Sequence, residues 1–313
     1  MSLHKPTTRS ATRLIGATAI MMVAGSAGLV TFASAGSSAQ QNEEGPDNLP
    51  DVLSLDAVIR DFKPAQWEGG HPDFQTFSGS TTVGLLEDYL DGRGMPVVAS
   101  LRGMKIGTEY RDAQGRNIMP SLFNAELGDS RGSLSSGGTG NGFTSEASFN
   151  QWYRDVPGVN ISKQVSLDLQ RVDGTNRYVF DSAQHEPYRS AGGFFPINDD
   201  LFGNYTNGKN FHFTTEVRTQ FNFQRGTGQA FKFTGDDDVW VFIDGRLVID
   251  LGGLHSRKEQ FLDLDRLDWL QDGSTYDLDI FHAERRTSES NFRIETTIQL
   301  RSVDLPPTAA LYD

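Results

Sequence analysis

From Val52 onward, apolar and polar residues alternate with a period of two through most of the chain. In VSLDLQRV (165–172), Val165, Leu167 and Leu169 share one face, and similar alternation runs through FHFTTEVRTQFNF, QAFKFTG, YDLDIFHAE and NFRIETTIQL. Such a period marks a strand with one buried face. The runs are short, rich in Phe, Val, Ile and Thr, and punctuated by Gly, Asn and Asp. LLEDYL (85–90) is the best short helical candidate. Many short strands with turn signals predict an all-β fold, an antiparallel β-sandwich of jelly-roll type with loop-rich decorations in its N-terminal half.

One run breaks the alternation. In VWVFI (239–243), Val239, Val241 and Ile243 lie on one face and Trp240 and Phe242 on the other, and both faces are apolar. This pattern predicts a central strand covered on both sides. Asp244-Gly245 follows, ahead of RLVID, and is the signal of a two-residue hairpin with φ > 0 at both turn positions. The stretch TGDDD leads into the same strand, so Asp236, Asp237 and Asp238 stand at one end of the sandwich.

The two ends of the chain read differently. Lys5, Arg9 and Arg13 precede a small, apolar run from Leu14 to about Phe32, and ASA (33–35) offers a small-x-small cleavage site. Residues 1–35 therefore read as a secretory signal peptide, residues 36–50 as a polar leader, 51–302 as the sandwich and 303–313 as a flexible tail. The Gly/Ser-rich segment 128–142 reads as a flexible loop. No second hydrophobic span follows, so the expectation is a secreted or cell-surface protein with no membrane insertion after cleavage.

Charge narrows the partners. The chain carries a net charge of −13, and removing residues 1–35 leaves 25 basic against 41 acidic residues, or −16. Such a surface repels nucleic acid and anionic lipid and suits divalent cations and neutral sugars. Cysteine is absent, although an exported chain is free to form disulfides. Bound calcium is a natural alternative staple for its loops.

Adjacent carboxylates repel by about 4 kcal/mol at ~4 Å in an intermediate dielectric. Either solvent and backbone N–H groups absorb that cost in an acidic turn, or a cation lies between them. Successive side chains on an extended segment point to opposite faces, so gripping one ion needs a distorted peptide. From the residues alone both readings stay open.

The blocks FKFTGDDDVWVFIDGRLVIDLGGLH and YDLDIFHAERRTSESNFRIETTI closely resemble the fibro-slime domain, a branch of the protective-antigen-type β-sandwich family that includes flocculin and adhesin lectin domains. The resemblance extends upstream through VIRDFK, WYRDVPGVN and FFPINDDLFG, over roughly Leu55 to Leu300. It implies that Asp236 and Asp237, joined by a cis peptide, hold a calcium ion that in turn binds sugar hydroxyls. It implies a second calcium loop at about Glu284 to Asn291, with Asn291 and Glu284 as metal ligands. Asp238, at a position where many relatives carry glycine, together with His255 and Ser290, completes the expected ligand-binding set.

The expected function is a calcium-dependent carbohydrate-binding or adhesion module with an extracellular glycan or cell-surface polysaccharide as partner. The alternatives are a structural matrix module with a stabilising calcium and, behind it, a glycoside-acting enzyme. GDSRG (128–132) has the letters of a nucleophile elbow but lacks the strand and helix that one needs, and no other catalytic constellation stands out. His71, His212 and His282 read as structural, Trp240 and Trp269 as packing residues. Asp263 and Asp265 read as one solvated strand face. Trp67, Trp152 and Tyr153 lie in less regular segments where an exposed aromatic could meet a sugar ring.

Overall fold

A computed structural model describes residues 49–136 and 142–303. The signal peptide, most of the leader and nearly all of the tail expected from the sequence lie outside those residues.

Alternating residues build one large antiparallel sheet. In chain order its strands are β1 (Val52–Phe62), β5 (Asn160–Arg171), β6 (Tyr178–Asp181), β7 (Phe213–Asn222), β8 (Ala230–Gly235), β9 (Asp238–Ile243), β10 (Arg246–Leu251), β11 (Lys258–Asp263), β12 (Thr275–Glu284), β13 (Phe292–Thr296) and β14 (Arg301–Ser302). Between β1 and β5, a small second sheet comprises β2 (Thr82–Val83), β3 (Met104–Thr108) and β4 (Ser133–Ser136). The large sheet runs β10-β9-β12-β7-β1-β5-β6-β13-β8-β11, with β14 added on β7.

The sheet folds back so that its terminal strands meet. There the fully buried side chain of Gln260 on β11 accepts from Asp250 N and donates to Asp250 O on β10, both at 2.9 Å. One amide side chain thus stands in for a stretch of main-chain ladder. The outer edge of β10 is covered as well, by Leu247 N donating to Asp88 O and Thr82 N donating to Gly252 O.

The two faces of β9 are covered as its sequence predicts. Val239, Val241 and Ile243 point into the main core, among Leu55, Ile59, Phe213, Phe233 and Ile294. Trp240 and Phe242 point outward into a second core, where segment 63–159 lays Phe74, Phe143, Phe149, Trp152 and Tyr153 over them. β9 pairs with β10 on one side and β12 on the other, so it is a central strand. Asp244 and Gly245 form the hairpin turn with φ of 52° and 69°. Leu167 and Leu169 are buried in the main core, with Val165 partly buried against it.

Three expectations are corrected. LLEDYL is not helical: Leu85 and Leu86 are buried in the second core while Asp88 O pairs with β10, because the edge of β10 offers main-chain partners that a single helical turn would forgo. Within segment 128–142, Ser133–Ser136 is a strand paired with β3, while residues 137–141 lie outside the described residues. Asp265 is not on a strand. Asp263 ends β11 and caps a short 3-10 turn by accepting from Asp265 N, and Asp265 accepts from Gly226 N.

Among the described residues no helix is long and apolar enough to cross a membrane.

Candidate metal centre

Three loops converge at one end of the folded sheet: β8–β9, which carries Asp236 and Asp237; β12–β13, residues 285–291; and β10–β11, residues 252–257. Gly235 permits the first two to touch. A Cβ there would lie 2.6 Å from the Asn291 carbonyl oxygen.

The Asp236-Asp237 peptide is cis, in line with the resemblance. Asp236 Oδ1 accepts from Asn291 N at 2.5 Å and Oδ2 from Asn291 Nδ2 at 2.8 Å. Asp237 Oδ2 accepts from Arg285 N at 3.1 Å and Oδ1 from His255 N at 3.3 Å. Glu284 Oε1 accepts from Arg286 N at 3.3 Å, whereas its Oε2 is buried with no hydrogen-bond partner. Asp236, Asp237, Glu284 and Asn291 thus gather at one place, and the three carboxylates are 3%, 7% and 1% exposed.

Asp238 plays a different part. It is fully buried and turned the other way, with Oδ2 accepting from Arg285 Nε at 2.6 Å and Oδ1 from Gly253 N at 2.6 Å. Both oxygens are therefore occupied by protein donors. Arg285, also fully buried, donates to Gly142 O at 2.9 Å and lies over the Trp152 ring, 4.9 Å from its centroid. Arg285 is the residue that sequence reasoning missed. The only signal for it was an arginine directly after a strand-end glutamate.

Ser290 is buried beside Glu284 and donates its hydroxyl to Phe194 O at 2.7 Å. The His255 ring faces two main-chain carbonyls, Leu251 O and Ser256 O, each at 3.0 Å, and its contact with the acidic loop is through its backbone N–H. His282 is a core histidine, pushed down to about 4 by burial and so neutral. Its Nε2 lies 2.9 Å from Asp236 O and its Nδ1 3.3 Å from Thr215 Oγ1. A carbonyl can only accept, so Nε2 carries the proton and braces the acidic loop from beneath. Trp152 and Tyr153 are buried, which removes them as exposed sugar platforms; the second core takes them because no strand layer covers that face of β9.

Burial sets the electrostatics. It raises Asp237 to about 8, opposed by Arg285 and reinforced by Asp238 and Asp236. Glu284 is raised well above its ordinary value by burial, then by the charges of Asp237 and Asp236. Asp236 and Asp238 are also raised by burial, with Asn291 and Arg285 respectively opposing. Four buried carboxylates therefore share one buried guanidinium. Burial thus disfavours the charged form of all four, and a further cation at the site would favour it.

Among the described residues no three His, Cys, Asp or Glu side chains form a ready metal cluster. An ion here would draw on carboxylates together with the neutral oxygens of Asn291 and the main chain. That all-oxygen donor set, with its excess negative charge and the unpartnered Glu284 Oε2, fits a hard divalent cation and not a soft one.

Comparison with known proteins shows what these features resemble. Over 268 residues, 81% of this chain, the sequence is 35% identical to the protein psiQ of Dictyostelium discoideum, of which it covers 22%. It is 37% identical to psiD of the same organism over 257 residues, covering 80% of this chain and 42% of that protein. The chain thus spans well under half the length of these relatives. Among solved structures it is similar to the PA14 domain of the antifreeze protein MpAFP, with a TM-score of 0.26 and 11% identity over 84% of this chain and all of that one. The PA14 domain family matches residues 196–305, which include all three converging loops. Residues 196–305 thus match the PA14 domain family, within a similarity to the psi proteins that extends well upstream of them.

Proposed function

We propose that the protein is an exported adhesion module in which Asp236, Asp237, Glu284 and Asn291 hold a calcium ion, and that the ion serves the binding of an extracellular carbohydrate. One observation carries this reading: four buried carboxylates at the loop end share a single guanidinium, with Glu284 Oε2 left without a partner. Calcium supplies a hard positive charge that would draw the acidic and neutral oxygens together. Asn291 positions Asp236, the Arg285 and His255 backbone N–H groups position Asp237, and Asp238 keeps the Arg285 guanidinium away from the ion. The basic start and apolar run of residues 1–35 support export.

The low exposure of the three carboxylates also favours a second reading, in which the ion only locks the loops. Titration calorimetry with calcium chloride tests the shared part. The wild-type protein should bind one ion, with a dissociation constant on the order of 10⁻⁴–10⁻³ M for an extracellular module. The Asp236→Asn/Asp237→Asn double variant should lose it; equal binding by both proteins ends the assignment. A glycan array with and without chelator separates the two readings. Glycan binding abolished by chelation supports the carbohydrate role, and a fall in melting temperature with no glycan bound in either condition supports the lock.

A further inference from the structure

A cleft of about 480 Å³ lies between β3 and the β10–β11 loop, away from the carboxylate cluster but sharing His255 with it. One wall is Lys105 to Glu109 with Arg111, and the other is His255, Ser256 and Lys258. His255 N donates to Asp237 Oδ1, so the cleft begins where the acidic loop ends.

Its charge runs against that of the molecule. In a chain of net charge −13, three cationic side chains, Lys105, Arg111 and Lys258, line this cleft against one acid, Glu109. Lys258 Nζ stands 3.6 Å from Glu109 Oε1, so the pair is loose; the lysine side chain is 40% exposed, while Glu109 is largely buried, with Oε2 lacking a hydrogen-bond partner. Lys105 is exposed. The remaining lining is rich in hydroxyl-bearing residues, among them Thr108 and Ser256, with Ile106 the one large aliphatic side chain. A wall of this kind offers hydrogen bonds to a polyol and little to a lipid tail or an apolar peptide.

We propose that this cleft binds an acidic saccharide, a sugar chain bearing carboxylate or sulfate groups, with Lys105, Arg111 and Lys258 as the anion contacts. The site does not require the calcium reading. Its cations belong to β3, β11 and the segment after β3, and none of them touches the carboxylate cluster. Field focusing makes the assignment reasonable in an acidic protein: a basic cleft with low-dielectric walls attracts an anion that the surrounding surface repels.

The test uses the whole protein in EDTA, so that loss of calcium cannot be mistaken for loss of this site. Retention of a heparin-derived oligosaccharide and of oligogalacturonate is measured by calorimetry against the Lys105→Gln/Lys258→Gln variant, whose altered residues are exposed or half-exposed. The wild type should bind at low salt, the affinity should fall steeply as salt rises, and the variant should bind at least tenfold more weakly at an unchanged melting temperature. Absence of binding by the wild type, or equal binding by the variant, overturns the proposal. Binding that appears only when calcium replaces EDTA overturns it too, since the ion would then be the anion contact. Vesicles of phosphatidylserine and phosphatidylcholine form a separate arm. Vesicle binding with the same lysine dependence and no oligosaccharide binding overturns the saccharide assignment in favour of a lipid surface.

Discussion

The two faces of β9 are sealed by different means. On the inner face, Val239, Val241 and Ile243 meet other strands whose aliphatic and Phe side chains repeat every second residue. On the outer face, Trp240 and Phe242 meet an irregular segment, and there buried polar groups fix the cover in place. Asp73 accepts from Trp152 Nε1 and Thr144 N, Asp250 from Trp240 Nε1 and Gly84 N, and Asp238 holds Arg285, which in turn holds Gly142 O. A sheet aligns its own side chains by register. A loop has no register, so each of its turns needs a fixed hydrogen bond, and in a dry interface a carboxylate supplies the strongest one.

This contrast can be broken at several points. Trp152→Ala removes the largest outer side chain and should cost about 3–5 kcal/mol. Hydrogen exchange should then rise across segment 63–159 while β7 and β12 stay protected. Phe233→Ala, in the inner core, should cost a similar amount but lower protection throughout. If the two variants give the same exchange pattern, the two cores are one cooperative unit. Arg285→Met leaves Asp238 buried without its partner, a change worth about 3–5 kcal/mol at neutral pH. Adding Asp238→Asn to that variant should recover part of the loss, and denaturant melts of the pair measure it.

A smaller effect concerns pH. Burial raises both Asp61 and Asp250 to about 7. A raised value means that the folded state holds a proton that the unfolded chain releases. The contribution is complete below the ordinary carboxylate range and is lost as pH rises through about 7. In EDTA, stability should therefore climb as pH is lowered from 8 to 5, by up to about 1.4 kcal/mol per pH unit for each group, and the melting temperature with it. Asp250→Asn should flatten the slope, and a variant with the parent's full slope would remove Asp250 from this account. Smallest of all, Gln260→Ala strands Asp250 N and O at the seam and should cost about 1–3 kcal/mol, read by thermal melts at pH 7.

The inner half of this architecture was legible in the sequence because strands advertise their buried face. Val239 and Trp240 announced opposite sides, and Asp244-Gly245 announced the hairpin. The outer half was not. Trp152 and Tyr153 sit in a stretch without period, and nothing local distinguishes a buried loop aromatic from an exposed one. Leu85 and Leu86 suggested a helix because a short apolar cluster fits either geometry, and only the neighbouring edge of β10 decided for an extended path.

The acidic triplet was half legible. Alternation on a strand separates Asp238 from its neighbours, but that its partner would be Arg285, 47 positions later, is a property of the β9–β12 pairing and not of any motif. The resemblance located Asp236, Asp237, Glu284 and Asn291. It did not reveal that Glu284 lacks a partner for one oxygen, since only burial shows that.

The sheet closes on itself through the Gln260 amide, and the loop that carries His255 links the same two strands. The fold is thus a belt with a buckle, and the acidic loop and the basic cleft both sit beside the buckle. At that seam both main-chain groups of Asp250 are satisfied by one amide side chain, so the closure is made by a residue that a single substitution can remove.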